Sequence, residues 1–279
     1  MRIDAHQHFW RIADRAGQWP PAELAAIYRD FGPEDLEPLL TANGFDGTVL
    51  VQTMEREADT AYMLDLAGRH GFIKAVVGWT DLKAPGAPQA VARLAAKPKL
   101  RGLRPMLQDI AEDGWIDDAA LDPAVEAMIA HDLGFDALVL PRHLGPLTAF
   151  ATRHPQLRIV IDHGAKPPIA EGRITDWRRA MARLAAPPNV WCKLSGLLTE
   201  AGGNAPIAVR PYAETLLELF GPERLIFGSD WPVLRLAGDY VAWVEQCQAI
   251  VPGEHHDAVF GGNAATFYRL ADAPASTAA

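Results

Sequence analysis

The sequence predicts an α/β protein folded as a single-domain (β/α)8 barrel of the TIM type. Short runs rich in Val, Ile and Leu recur eight times, and helix-like stretches lie between them. A length of 279 residues also suits one α/β barrel. A doubly wound sheet is the alternative, but no glycine-rich phosphate loop follows the first apolar run, which favours the barrel.

Each predicted strand is one of the short apolar runs. Several of these runs are apolar on both faces, which is typical of parallel strands that helices cover on both sides. The predicted strands span residues 2–5, 46–51, 73–78, 100–103, 135–140, 157–162, 189–194 and 224–228.

The predicted helices carry recognisable start and stop signals. The first begins at Pro33 and ends before Gly44, as expected when proline opens a helix and glycine follows it. The second, 58–70, places apolar residues on one face and ends at Gly71. Similar patterns predict helices at 176–186, 211–220 and 239–250.

The chain shows no Ser/Gly linker, so residues 1–270 are expected to form one domain. The small, polar segment 271–279 is expected to be a disordered tail. The first strand–helix connection, residues 10–30, is unusually long and carries Trp10, Trp19 and Tyr28. It could be a lid over the barrel mouth or a packed surface loop, and the sequence leaves both open.

Composition excludes several classes of function. The net charge is −9 and no Lys/Arg cluster is present, which argues against nucleic acid or anionic membranes as partners. No apolar run approaches the roughly 20 residues that cross a bilayer, and no signal-peptide pattern is seen. Cys192 and Cys247 lack metal-binding spacing, so we expect reduced thiols in a cytoplasmic protein. The oligomeric state stays open.

The pair His6 and His8 closes the first apolar run. Residues two apart in a strand share a face, so the two imidazoles can converge on a divalent metal ion or a carbonyl oxygen. Taken alone, the motif fits two surface histidines better, because short motifs often occur without function.

Chemically capable side chains also follow most of the other predicted strands. The active site of such a barrel lies at the carboxyl ends of its strands, so we expect these side chains to meet. They are Gln52, Trp79, Asp81, Arg104, Asp162, His163, Lys193, Ser195, Asp230 and Trp231.

Asp230 follows a buried strand and could act as a general base toward water. The alternative role for Asp230 is to cap the turn at Trp231 and Pro232. His163 could serve the same centre or simply hydrogen-bond into the barrel rim.

Two cations are expected at the rim. Lys193 interrupts an apolar strand, so its ammonium group needs an anion, an oxyanion or a sugar hydroxyl as partner. Arg104 offers a forked set of donors. Together with Gln52, Trp79 and Trp231, these groups suit a small, oxygen-rich, hydroxylated substrate.

Six segments carry a family resemblance, in this order along the chain: RIDAHQHFW, VVGWTDL, KLRGLRPMLQD, IDHGAKP, VWCKLSGL and LIFGSDWPV. The chain resembles the amidohydrolase superfamily, and within it the sugar-lactonase branch. That branch includes L-fuconolactonases, L-rhamnonolactonases and the related 2-pyrone-4,6-dicarboxylate lactonases. The resemblance implies a barrel that hydrolyses a lactone ester to the free acid.

By this resemblance, Asp230 is the base that deprotonates water. His6, His8 and His163 line the carbonyl side, with or without a metal ion. Arg104, Lys193 and Trp231 hold the sugar.

The sequence departs from the wider superfamily at two strand ends. Arg104 and Pro105 stand where a metal-bridging lysine or glutamate is usual, and predicted strand 5 ends without a histidine, His143 coming only after Pro141. A binuclear centre is therefore not expected. One divalent ion held by His6, His8 and Asp230, with or without His163, remains open, zinc being favoured, and so does a metal-free site.

Two other functions remain open. One is a mononuclear-metal decarboxylase, or another hydrolase of the superfamily. The other is a barrel that only binds a sugar acid, against which the presence of Asp230 argues. A lactone is an activated ester and needs less assistance than an amide, so the reduced metal set favours lactone hydrolysis.

Overall fold

The computed structural model describes residues 1–15, 17–204 and 207–270. The predicted tail, 271–279, lies outside the described residues. Eight parallel strands follow one another in chain order around one sheet. They are β1 (Ile3–Gln7), β2 (Gly47–Val51), β3 (Ile73–Gly78), β4 (Leu100–Leu103), β5 (Gly134–Ala137), β6 (Ile159–Ile161), β7 (Val190–Leu194) and β8 (Leu225–Phe227).

The sheet closes between its first strand and the segment that follows β8. Gln7 pairs in parallel with Trp231. The His8 backbone N–H donates to the Trp231 carbonyl at 2.8 Å, and the Asp230 N–H donates to the His6 carbonyl at 2.8 Å. The predicted (β/α)8 barrel is therefore confirmed.

Helices cover the outside of the barrel. Those within the described residues are α1 (Pro33–Ala42), α2 (Glu57–Arg69), α3 (Ala87–Ala95), α4 (Asp122–Ala130), α5 (Leu144–Arg153), α6 (Thr175–Ala185), α7 (Leu197–Glu200), α8 (Arg210–Phe220), α9 (Tyr240–Ile250) and α10 (Asn263–Phe267). The predicted helices differ from these by one residue at their ends. Asp239, predicted as the first residue of α9, is instead its N-cap and accepts from the Ala242 N–H at 2.9 Å.

Two strands differ from their predicted carboxyl ends by two or more residues. β1 continues to Gln7 because Gln7 still pairs with Leu50 of β2, although the apolar pattern stops at Ala5. β5 ends at Ala137 rather than Leu140. The apolar run beyond Ala137 leaves the sheet and contributes Leu138 to the wall of the cavity described below.

The barrel interior holds its own apolar cluster, which includes Ile3, Val49, Val77, Ile226 and Tyr268. Tyr268, which follows α10, is fully buried in this cluster. The larger cluster fills the space between strands and helices. Cys192 and Cys247 are buried and unbridged. Among the described residues, no helix is long and apolar enough to cross a membrane.

The long first connection is anchored at its base. Trp10 and Phe31 exchange two backbone hydrogen bonds of 3.0 and 2.9 Å, and the Trp10 ring is buried. The buried Arg15 guanidinium donates to the Trp19 carbonyl at 2.9 Å and to the Thr53 hydroxyl at 2.6 Å. The connection is thus packed against the barrel.

Candidate active site

An irregularity in β1 turns His6 toward the barrel interior. Ala5 belongs to the interior cluster, so strict alternation would place His6 on the outer face. The pairing register shifts between Asp4 and Gln7, as at a β-bulge. His6 consequently lies inside the barrel, where its Nδ1 is 3.1 Å from Lys193 Nζ.

Left-handed backbone conformations aim two other side chains into the mouth. His163 follows β6 with φ 54°, and Asp230 follows β8 with φ 60°. Positive φ is uncommon for residues with a Cβ, and such strain concentrates at functional sites. At each of these turns the backbone leaves its strand abruptly, so the His163 and Asp230 side chains reach the same point.

Three imidazoles surround one carboxylate oxygen. Asp230 Oδ1 lies 3.1 Å from His8 Nε2 and 3.8 Å from both His6 Nε2 and His163 Nε2. All four side chains are buried. Potential ligand atoms of His6, His8 and Asp230 lie within 4.8 Å of one another, as do those of His6, Asp162 and His163.

The neighbours of each ring nitrogen assign the protons. His8 Nδ1 lies 2.7 Å from the Val51 carbonyl oxygen, which can only accept, so Nδ1 carries the hydrogen. In a neutral ring, His8 Nε2 then presents a lone pair to the Asp230 carboxylate. Two acceptors at that distance need a proton or a metal ion between them.

Contacts at the Nδ1 atoms orient the rings of His6 and His163. His6 Nδ1 lies 3.3 Å from Asp162 Oδ1 and 3.1 Å from Lys193 Nζ, so its other nitrogen, Nε2, faces Asp230 Oδ1 at 3.8 Å. His163 Nδ1 lies 2.9 Å from the Ser195 hydroxyl. These contacts fix both rings against the end of β7 and the turn after β6.

The protonation states suit a ligand cluster. Burial alone would raise the pKa of Asp230, but the neighbouring histidines His163, His8 and His6 outweigh it and hold this pKa below its usual range. Burial lowers the pKa of His163 to about 4, although Asp230 opposes the shift. Burial also lowers the pKa of His6. At neutral pH the site therefore offers the Asp230 carboxylate together with the uncharged imidazoles of His6 and His163.

This donor set fits one divalent ion. Neutral imidazoles with a carboxylate are common zinc ligands, and three protein ligands leave a position open. The Arg104 guanidinium lies beside the cluster, with Nη1 3.4 Å from His6 Nε2 and 3.0 Å from Asp162 Oδ2. The positive charge of Arg104 disfavours the binding of a second cation.

His143 lies outside this cluster of ligands. It caps its own turn by accepting from the Leu140 N–H at 3.0 Å.

A cavity of about 670 Å³ opens above the cluster. His8, Arg104, His163 and Asp230 form its floor. Its apolar wall consists of Trp19, Met54, Met106, Leu138, Val233 and Leu236. Its polar wall includes Gln18, Glu55, Arg56, Gln108, Lys166 and Glu200. A cavity of this size and mixed lining suits a small hydroxylated ligand.

Lys193 does not line this cavity. Its side chain is 0% exposed, and its Nζ lies 2.5 Å from Asp136 Oδ2, 3.0 Å from Asp162 Oδ1 and 3.1 Å from His6 Nδ1. Tyr268 donates to the same Asp136 oxygen at 2.6 Å. The anionic partner that the buried lysine requires is thus a pair of aspartates, and the expected contact of Lys193 with a sugar does not occur in this geometry.

Three further predicted substrate-binding residues do not line the cavity. Gln52 is buried and donates to the Arg104 carbonyl at 2.6 Å, while Arg104 donates back to the Gln52 carbonyl. Trp231 is buried against Phe31, with ring centroids 5.2 Å apart. Trp79 is half-buried and lies outside the described cavity lining. Of the five predicted substrate-binding residues, Arg104 lines the cavity directly.

Several site residues were missed in the sequence. Asp136 lies within an apolar run of the sequence, and a charged residue there needs a partner. Lys193 carries the complementary charge, so the two residues could have been paired from the sequence. Lys166 and Glu200 lie on connections between strands and helices, and nothing in their spacing indicated that they would face the cavity. Trp19 also lines the cavity, and it belongs to the long first connection, for which a lid over the barrel mouth is one of the two expectations.

Fold and site together define a barrel enzyme with a histidine–aspartate centre at the carboxyl ends of its strands. A family model described as amidohydrolase matches residues 3–270, and the chain belongs to this family. The predicted family relationship is thereby confirmed.

Two relatives share the sequence over nearly its full length. The chain is 59% identical over 278 residues to an L-fucono-1,5-lactonase of Burkholderia ambifaria, covering 97% of this chain and 96% of the relative. It is 39% identical over 286 residues to an L-fucono-1,5-lactonase of Burkholderia multivorans, with the same coverage. A crystal structure of a Burkholderia multivorans amidohydrolase with bound zinc is also 39% identical, covers 97% of this chain and 100% of that chain, and superposes with a TM-score of 0.90.

Proposed function

We propose that this protein hydrolyses a sugar lactone of the L-fucono-1,5-lactone type to the corresponding aldonic acid. One observation carries the proposal: a chain 59% identical to an L-fucono-1,5-lactonase places three imidazoles around the Asp230 carboxylate at the floor of a cavity. The parent sugars that fit best are 6-deoxy sugars such as L-fucose and L-rhamnose. Their hydroxyls match the polar wall, and their methyl group matches the apolar wall.

Asp230 is the general base in this proposal. Its carboxylate is ionised and lies at the cavity floor, so it can accept a proton from water as the oxygen attacks the lactone carbonyl. The carbonyl carbon becomes tetrahedral. When the ring C–O bond breaks, the leaving ring oxygen takes back the proton that Asp230 had accepted, which yields the open hydroxy acid.

His163 stabilises the carbonyl oxygen as its negative charge grows. If the Ser195 hydroxyl donates to Nδ1 at 2.9 Å, His163 carries its proton on Nε2, which faces the reacting centre. A donor preorganised in a water-poor site is a large source of rate acceleration. Arg104 supports the same side of the cavity with its guanidinium.

His6, His8 and Asp230 would hold a divalent ion, with zinc favoured. When bound, the ion polarises the carbonyl group and increases the acidity of water. Asp162 and Lys193 contact His6 from the barrel interior and fix the orientation of its ring.

The test is a panel of lactones assayed with the purified protein, together with metal analysis of the same sample. The panel contains L-fucono-1,5-lactone, L-rhamnono-lactones and unsubstituted δ-valerolactone. We expect the sugar lactones to have the higher kcat/KM, because a site built for hydroxyls disfavours an analogue that lacks them. An equal or higher kcat/KM for δ-valerolactone would refute a hydroxylated substrate.

A further inference from the structure

We propose that Lys166 and Glu200 together form the subsite that binds the lactone hydroxyls nearest to the reacting carbonyl. This inference rests on the proposed lactonase function and assigns the part of the cavity that recognises the substrate. The two side chains come from different connections, one after β6 and one at the end of α7.

The pair lies in the cavity wall with unused hydrogen-bonding capacity. Lys166 Nζ is 3.5 Å from Glu200 Oε1, and the side chains are 24% and 25% exposed. Within the described part of the chain, each is the other's only polar side-chain partner. An ammonium group has three donors and a carboxylate has two acceptor oxygens, so most of their capacity faces the cavity.

The backbone fixes Lys166 relative to His163. Residues 163–166 all have positive φ, and Lys166 has φ 49°. The Lys166 N–H donates to the His163 carbonyl at 2.8 Å. The strained turn that aims His163 at the reacting centre therefore also places the Lys166 side chain in the wall.

Glu200 is fixed from the other side and lies near the reacting centre. Its carbonyl accepts from the Ala170 N–H at 3.0 Å, which joins the two connections. Burial raises the pKa of Glu200, the Lys166 ammonium lowers it, and the negative charge of Asp230 raises it further. Glu200 and Lys166 line the same cavity as Asp230 and His163.

A sugar hydroxyl complements such a pair. It can donate a hydrogen bond to the Glu200 carboxylate while accepting a hydrogen bond from the Lys166 ammonium. Hydrogen bonds to charged groups are stronger than neutral ones, and a partly desolvated pair loses more when its partner is missing. Because Asp230 and His163 hold the carbonyl, the hydroxyls within reach are those on the adjacent ring carbons.

The experiment compares Lys166→Met and Glu200→Gln with wild type on L-fucono-1,5-lactone and on δ-valerolactone. We expect kcat/KM for the sugar lactone to fall roughly 10–100-fold in each variant, the effect of losing a charge-assisted hydrogen bond. For δ-valerolactone we expect less than about a threefold change, since it has no hydroxyl to lose. The matched control changes an ion pair on the outer helices, Arg178→Met with Glu218→Gln, and should alter neither rate.

A second measurement keeps the inference independent of turnover. Calorimetric binding of the L-fuconate product should weaken by a similar factor in both variants, with thermal unfolding midpoints checked in parallel. Equal losses on both lactones, or unchanged binding and kinetics, would overturn the subsite and leave a structural ion pair. If wild type hydrolyses no sugar lactone, the proposed function fails, and the binding experiment alone decides the subsite.

Discussion

The Nε2 atom of His8 lies 3.1 Å from the Oδ1 atom of Asp230, and the other ring nitrogen of His8 is committed to the Val51 carbonyl at 2.7 Å. This relationship joins the first strand of the barrel to the turn after the last. Two acceptors face each other across that distance, so the site is built around a shared proton or a bound cation. The same carboxylate faces the cavity, so the proposed cation site and the proposed general base share one residue.

We predict one divalent ion per chain, most readily zinc, in protein purified without chelators. His8→Ala should weaken zinc affinity by more than about 100-fold, because loss of a direct ligand costs more than loss of an outer partner. His131→Ala, at an exposed histidine, should leave affinity unchanged. Metal analysis and a zinc competition titration measure both. Two tightly bound ions per chain would contradict the single-ion site.

We predict that Lys193→Met destabilises the protein instead of altering substrate preference. Removing the lysine leaves Asp136 buried without its cation and Asp162 with Arg104 alone, and breaking a buried pair typically costs about 3–5 kcal/mol. Arg69→Met, which removes an exposed pair with Asp65, should cost no more than about 1 kcal/mol. Urea denaturation compares the two. A selective loss of sugar-lactone activity with unchanged stability would show that Lys193 binds the sugar after all.

Trp19→Ala should raise KM for a sugar lactone more than it lowers kcat. The Trp19 side chain is 37% exposed and lines the apolar wall, so it contributes binding surface rather than chemistry. Tyr28→Ala removes an aromatic ring of similar exposure, 42%, from the same connection but outside the cavity lining. Steady-state kinetics should show no change for this control. Equal effects of both substitutions would mean that the connection acts only through its packing.

Neither cysteine should react with a thiol reagent in the folded protein. Cys192 and Cys247 are fully buried, and burial raises the pKa of both thiols above the usual range. We expect two equivalents of reaction with 5,5′-dithiobis(2-nitrobenzoate) only after denaturation. Rapid labelling of either thiol under native conditions would indicate that the surrounding helices open readily.

The barrel could be predicted from the sequence because its signals are local. Apolar runs and helix-ending glycines, such as Gly44 after α1, fix the alternation of strands and helices. The metal-ligand candidates lie at or just after the carboxyl ends of strands, so closure of the barrel brings His6, His163 and Asp230 to one mouth, although the turns that aim their side chains could not be predicted.

The division between cavity wall and interior could not be predicted. Lys193 and Arg104 carry the same charge at the carboxyl ends of β7 and β4, yet one lies in the interior and the other lines the floor. The difference depends on Asp136, whose partner lies 57 positions away in sequence. Lys166 and Glu200 meet only because a left-handed turn and a short helix bring two connections together.

The most direct test of the account is the rate at which wild type and Asp230→Asn hydrolyse L-fucono-1,5-lactone, followed by acid release at constant pH. Asparagine keeps the shape of the side chain but cannot accept the proton, so kcat should fall about 10²–10⁴-fold. Asp176→Asn, on the exposed surface of α6, serves as the control and should retain full activity. Asp230→Asn that keeps most of the wild-type kcat would contradict the assignment of Asp230 as the base and the mechanism built on it.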